Sequence, residues 1–211
     1  MGTAVMILGK SGAGKSTSMQ GFSNGDVGVI NVLGKPLPFK NNLGVIVTDS
    51  YSDIKRTLKD SKANSIVIDD AGYLITNQFM RGHSQFGEGN AIFKFYNELG
   101  DNFWSLVEYI KHLPSEKIVY LMMHEDKSEY GDIKPKTIGK LLDDKVCLEG
   151  MFTIVLRAIK EDKQHLFVTK SQGFDVSKTP MGMFEKEKID NDLKYVDDTI
   201  REYYELGGKH A

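Results

Sequence analysis

Apolar residues fall in short unbroken runs along this chain, and each run stops at a small or polar residue. Residues 3–8 (TAVMIL) run into Gly9, residues 27–32 (VGVINV) into a proline-bearing stretch, and residues 65–69 (SIVID) into a second aspartate. Residues 44–48 and 117–123 (KIVYLMM) repeat the pattern. Runs of this length without polar alternation predict strands covered on both faces, as in a parallel sheet. Between them the spacing turns helical. One helix is expected to begin at residues 15–21, and another to follow a cap at Ser50 or Ser52 and reach about Lys62. A long, largely helical stretch from Asp70 to Leu113 is interrupted at Gly82, Gly87 and Gly89. The two prolines of GKPLPF (34–39) predict an edge or turn.

After residue 123 the chain becomes polar: HEDKSEYGDIKPKTIGKLLDD reads as a long loop with a short helix at its end. Residues 152–159 and 165–170 flank EDKQ and predict a β-hairpin. KTPMGMF is turn-rich, and residues 189–206 carry the pattern of a closing amphipathic helix. Strands separated by helices, then a late hairpin, predict one α/β domain over residues 1–211. Its central sheet is expected to be mostly parallel, with helices on both faces and a C-terminal antiparallel hairpin.

Composition narrows the picture slightly. The hydrophobic fraction of 40% and charged fraction of 27% are those of an ordinary soluble globular protein. A net charge of -2 gives no overall steering toward nucleic acid or membrane, so any DNA-binding surface must be a local patch. The single cysteine, Cys147, excludes an internal disulfide and any multi-cysteine metal site; its neighbours Val146 and Leu148 predict a buried thiol. No apolar run approaches the roughly 20 residues of a membrane span, and no signal peptide is expected ahead of the first strand. A soluble protein of a reducing cytoplasm is expected.

Gly9, Lys10, Ser11, Gly12, Ala13, Gly14, Lys15 and Ser16 match G-x-x-x-x-G-K-[ST] at every fixed position, and Thr17 follows. Glycines let backbone N–H groups wrap phosphates where a side chain would block close approach. A helix N-terminus behind the loop would add partial positive charge. Lys15 is expected to reach the β and γ oxygens, and the Ser16 hydroxyl to ligate Mg²⁺. A glycine-rich turn can match by chance, but the setting, after an apolar strand and before a helix, favours a phosphate site. ATP with Mg²⁺ is the expected ligand.

Such a site needs a carboxylate at a neighbouring strand end. SIVIDD supplies Asp69, assigned to Mg²⁺ through its water shell, and Asp70, a candidate for polarising the attacking water. A paired aspartate after a strand is more often a cap or a solvated turn; the upstream phosphate loop shifts that balance. KIVYLMM ends at His124, a candidate sensor of the γ-phosphate, with Glu125 as a second candidate catalytic carboxylate.

The order of elements resembles the RecA-like core. More specifically, the chain resembles phage-encoded ATP-binding proteins of the AAA-24 type, which include RecA-like single-strand annealing recombinases. The resemblance rests on GKSGAGKST, INVLGKPLPF, SIVIDDAGYL, LMMHEDK, KPKTIGKLLDDKVCLEGMFTIVL, SKTPMGMF and DLKYVDDTIREYY, and covers nearly the whole chain. It implies ATP-dependent single-stranded DNA binding and strand annealing or exchange in phage recombination and replication, in the host cytoplasm. It also implies a homo-oligomer, as a ring or short filament with nucleotide at the interface, and a single-strand binding protein or other phage recombination partner. Full RecA has a segment before the phosphate loop and a separate C-terminal domain. With the loop at residue 9, a weaker, DNA- or partner-dependent oligomer is expected.

By the same resemblance, DNA would meet loops at residues 73–102 and 125–145. The first carries Arg81, His83, Phe86 and Lys94, and the second Lys127, Lys134, Lys136 and Lys140. Cationic loops with aromatic surfaces neutralise phosphates and stack bases. Phe93, Phe95, Phe103 and Trp104 read better as helix core. Lys170 stands where RecA-like proteins carry a lysine that reaches the neighbouring subunit's γ-phosphate, and Arg157 is a second such candidate; both compete with ordinary surface pairing. Two other readings stay open: a nucleoside or small-molecule kinase, disfavoured because Arg56, Arg81, Arg157 and Arg201 are scattered and form no lid, and a non-catalytic ATP-dependent switch.

Overall fold

In the computed structural model, residues 1–86, 90–128, 130–138 and 146–207 are described. Among the described residues nine strands form the sheet: β1 Thr3–Gly9, β2 Val27–Asn31, β3 Val45–Val47, β4 Ser65–Asp69, β5 Ile118–Lys127, β6 Ile133–Pro135, β7 Ile154–Glu161, β8 Gln164–Val168 and β9 Lys188–Asp190. The order is β3-β2-β4-β5-β1-β7-β8-β9, with β6 paired to the outer part of β5. From β3 to β7 every neighbour is parallel, whereas β7–β8, β8–β9 and β5–β6 are antiparallel. The parallel α/β sheet with late antiparallel strands is therefore as expected. β6 and β9 are short additions without a sequence signal of their own.

The unbroken apolar runs have a direct structural cause. Met6, Leu8, Ile66, Ile68, Val119 and Leu121 enter one buried layer with the helices α1 (Tyr51–Asp60), α2 (Tyr73–Gly82) and α3 (Asn90–Lys111). The alternate residues Val5, Ile7, Val67, Ile118, Tyr120 and Met122 enter a second layer with Met19, Phe22 and the closing helix α4 (Leu193–Tyr203). Every position on a central strand therefore faces a core, so no polar alternation survives.

Local details correct several expectations. The helix expected to begin at residues 15–21 is a six-residue 3-10 helix, Ser16–Gly21. Gly21 packs against Asp192, where a Cβ would come within 2.9 Å of the Asp192 carboxylate, and the chain turns away at Phe22. The closing helix starts at Leu193 instead of residue 189, because Lys188–Asp190 pairs with β8. Asp192 then caps the helix by accepting from the backbone N–H groups of Lys194 and Tyr195. Ser50 caps α1 as predicted, accepting from Asp53 N–H at 3.3 Å. Phe95 and Phe103 are core, but Phe93 and Trp104 are exposed. Cys147 is also exposed, with its thiol donating to Glu149, and that bond pushes the thiol pKa up.

One buried polar cluster fastens α4 to the sheet. Asp197 accepts from Ser65 Oγ at 2.6 Å, Tyr120 Oη at 2.8 Å and Arg201 Nε at 2.7 Å. Arg201 also donates to Ser65 Oγ and to the carbonyl of Glu116. Truncating one member of a buried charged network strands its partners, at a typical cost of about 3–5 kcal/mol. Asp197→Ala should therefore lower the unfolding free energy by about 3 kcal/mol, measured by denaturant titration. A change under about 0.5 kcal/mol, the size usual for surface substitutions, would show that the cluster does not hold the helix.

Candidate phosphate and metal site

β1 delivers the phosphate loop to the C-terminal edge of the sheet, where Gly9 pairs in register with His124 of β5. The loop turns through positive φ at Gly12 (76°) and Gly14 (101°), a region that other residues enter at a cost. Gly14 also abuts Asn191 and His165, leaving no room for a side chain. Lys15 is buried and folds back across the loop, with Nζ donating to the carbonyl oxygens of Gly9 at 2.7 Å and Lys10 at 2.9 Å. Burial pushes its pKa down, against the raising effect of Asp70, Asp69 and Glu125. Two of its three N–H donors are engaged, and the third remains for a phosphate oxygen. With only a six-residue 3-10 turn behind the loop, anion attraction must come chiefly from the loop N–H groups and Lys15, and little from an axial dipole.

Ser16 Oγ lies 2.9 Å from both carboxylate oxygens of Asp69. Burial raises the pKa of Asp69, opposed by the Ser16 hydrogen bond. A hydroxyl and a carboxylate oxygen side by side are hard oxygen donors of the kind Mg²⁺ takes. Among the described residues no group of three or more His, Cys, Asp or Glu side chains converges for a metal. A cation here would be held by Ser16 and Asp69 and would need phosphate and water oxygens to complete its shell, the arrangement Mg²⁺ prefers. Bound Mg²⁺ would neutralise charge on the phosphates.

Asp70 sits above Asp69 at φ 59°, a left-handed conformation uncommon outside glycine but accessible to aspartate. Its carboxylate meets Lys35 Nζ at 2.7 Å on one oxygen and His124 Nε2 at 3.5 Å on the other. Burial opposes ionisation of Asp70, but the His124 and Lys35 contacts outweigh it and hold the pKa below the usual carboxylate range. His124 is braced by Tyr73, whose ring meets it edge-on at 5.9 Å. Lys15, Ser16, Asp69, Asp70 and His124 thus lie together at one sheet edge.

The other assigned residues are held differently, although Glu125 and Arg157 border the loop residues Lys10 to Ala13. Glu125 points into a two-pronged pair with Arg157, at 2.7 and 3.0 Å, with Asp175 3.8 Å away. Its charge is committed to Arg157, and Arg157 is equally committed within its own chain. Lys170 lies exposed just past the end of β8, at the end opposite Gln164 and His165. Arg81 pairs with Asp49 at 2.7 Å, an exposed contact worth no more than about 1 kcal/mol and easily exchanged. Lys127, Lys134 and Lys136 lie on or beside the β5–β6 hairpin, whereas Lys140, Gly87 and Gly89 fall outside the described residues.

Sequence reasoning missed Lys35, His165 and Asn191. His165 Nδ1 lies 3.0 Å from the carbonyl of Ala13, and Asn191 Nδ2 is buried with no hydrogen-bond partner among the described residues. Both border a cleft of about 520 Å³ that also includes Thr17, Ser18 and Gln20. Their only sequence signal is proximity to the late hairpin. Pairing across β8 and β9 brings them to the loop.

A family described as an AAA domain, AAA-24, matches residues 1–181. The chain belongs to this family. The AAA-domain fold and the intact phosphate loop make it an ATP-binding P-loop NTPase. No curated protein matches the chain. Among solved structures it is similar to a prototypical ATPase from the type III secretion system of pathogenic bacteria, at 17% identity and a TM-score of 0.44, over 77% of this chain. The AAA-domain chain spans about half (52%) of that ATPase, and so distant a likeness carries no weight here.

The depressed Asp70 pKa sets the sign of a pH effect. A carboxylate held below its unfolded pKa contributes stability that is present above that pKa and lost as pH falls through the folded one. In chelator, the AAA-domain chain should be more stable than Asp70→Asn at pH 7, with the gap closing below about pH 4. Asparagine also accepts a left-handed backbone, so the substitution isolates charge. Thermal unfolding across pH reads this, and a gap that widens toward acid would contradict it.

Proposed function

We propose that this AAA-domain chain is a Mg-ATP hydrolase that acts on single-stranded DNA, in phage recombination or replication. The observation that carries the hydrolase reading is the convergence of Lys15, Ser16, Asp69, Asp70 and His124 at one sheet edge. The triphosphate would lie across that edge. Its γ end would face Asp70 and His124, and its base end the cleft of Thr17, Gln20, His165 and Asn191. The Asn191 amide, without a partner among the described residues, is a donor suited to a nucleobase acceptor.

DNA enters through continuity with the β5–β6 hairpin. That hairpin grows directly from His124, whose carbonyl accepts from Lys136 N–H at 2.8 Å. Beyond it stand Lys127 and Lys134, and Tyr130 near the tip is 93% exposed. Aromatic stacking with lysine contacts is the chemistry of sequence-tolerant single-strand binding. Asp126, Glu129 and Asp132 offset the three lysines in the same segment, so stacking must contribute as well as charge. A strand seated there would press on the residue facing the γ-phosphate, which gives a physical route for DNA to alter turnover. The resemblance to annealing recombinases supports the same reading, and with it a homo-oligomer.

The test is ATP turnover with and without single-stranded DNA. Turnover should rise on DNA addition and fall at least about 100-fold in Lys15→Ala and in Asp69→Ala, as for loss of a main electrostatic contact to the reacting phosphate. Tyr130→Ala with Lys134→Ala should weaken DNA binding and its salt dependence while leaving DNA-free turnover intact. Transfer of phosphate to a nucleoside, with no effect of DNA, would replace this reading with a kinase. ATP binding without turnover would make the protein a switch.

A further inference from the structure

The turn after β2 holds a second cation over the site. Asn31, the last residue of β2, pairs with Asp69 and is buried. Its side chain clips the next turn at two points: Nδ2 donates to the Lys35 carbonyl at 2.6 Å, and Oδ1 accepts from Gly34 N–H at 2.8 Å. Pro36 and Pro38 stiffen the exit. This clip aims Lys35 across the strand ends, where Nζ reaches Asp70 at 2.7 Å and lies 5.9 Å from the Tyr73 ring centre. The Lys35 side chain is 59% exposed, in contrast to Lys15, which is buried and tied to two loop carbonyls.

We propose that Lys35 is a catalytic cation for the terminal phosphate, supplied by this chain to its own site, which moves from Asp70 to the γ-phosphate when a triphosphate binds. The proposal rests on the hydrolase reading and assigns one of its parts. An ammonium anchored through its backbone but free along its stem can shift between neighbouring anions at little cost. Phosphoryl transfer needs positive charge where the γ oxygens and the leaving oxygen gather it. By leaving Asp70, Lys35 also frees that carboxylate to orient water. Water oxygen then bonds to the γ-phosphorus, and the bond from phosphorus to the β–γ bridging oxygen breaks with its electron pair going to ADP. The water proton passes to Asp70 and on to solvent. Arg157 cannot play this part within the chain while Glu125 and Asp175 hold it.

A surface ion pair of no functional consequence would leave nucleotide affinity unchanged on removal, and that separates the two meanings of the contact. The decisive experiment compares wild type, Lys35→Ala and Lys35→Arg. It measures equilibrium binding of Mg-ADP and of a non-hydrolysable Mg-ATP analogue, then turnover of ATP. Lys35→Ala should bind the triphosphate analogue about tenfold more weakly, bind ADP within twofold of wild type, and lose roughly 100-fold or more in kcat. Lys35→Arg should restore most of the affinity difference. Equal weakening of both nucleotides, or of neither, overturns the role of Lys35 while the hydrolase reading stands. A wild-type chain that binds neither nucleotide overturns the hydrolase reading, and this proposal with it.

Discussion

The site depends on the register of parallel strands. Gly9 of β1 is level with His124 of β5, and Ile68 of β4 with Leu121, so Asp69 ends its strand two positions short of His124. That stagger leaves a step at the sheet edge. Ser16 comes over from the phosphate loop to meet Asp69 at the lower level, while Asp70 rises to the level of His124. A slip of one residue in β4 would turn Asp69 from one face of the sheet to the other and lose the Ser16 contact. Burial of both faces makes such a slip costly, because every core side chain of β4 would move with it.

Electrostatics at that step oppose one another. Lys15 and Asp69 are both buried, and burial moves each toward its neutral form. What keeps them apart in role is their contacts: Lys15 donates hydrogen bonds to loop carbonyls, and Asp69 accepts one from the Ser16 hydroxyl. Phosphate oxygens and a divalent cation would satisfy both groups more fully than carbonyls and a hydroxyl do. Asp70, reached by an exposed lysine and a half-buried imidazole, is held below its ordinary pKa, the opposite direction to Asp69.

Much of this was legible in the chain. The strands announced themselves because burial on both faces removed polar residues from TAVMIL, SIVID and KIVYLMM. The phosphate loop was legible because its chemistry is local, with glycine φ values, a lysine and a hydroxyl within eight residues. Asp69 and His124 followed from standing at strand ends. What stayed hidden was brought by tertiary pairing. Lys35 looks like part of a turn until Asn31 clips it, and His165 and Asn191 reach the loop only across β8 and β9. Glu125 has the right position, but Arg157 from β7 claims it, and nothing local forecasts that pair. Cys147 misled because apolar neighbours along the chain do not guarantee burial in space.

The proposed hydrolase function places Mg²⁺ and a triphosphate at one sheet edge in a defined direction. It is tested most directly by the structure of the protein with Mg²⁺ and a non-hydrolysable ATP analogue. The metal should lie against Ser16 Oγ and the Asp69 side, Lys15 Nζ should reach a phosphate oxygen, and the γ-phosphate should face Asp70 and His124. A triphosphate running the other way, with its base over Asp70 and its γ-phosphate over Asn191, or a metal bound away from Ser16 and Asp69, would contradict it.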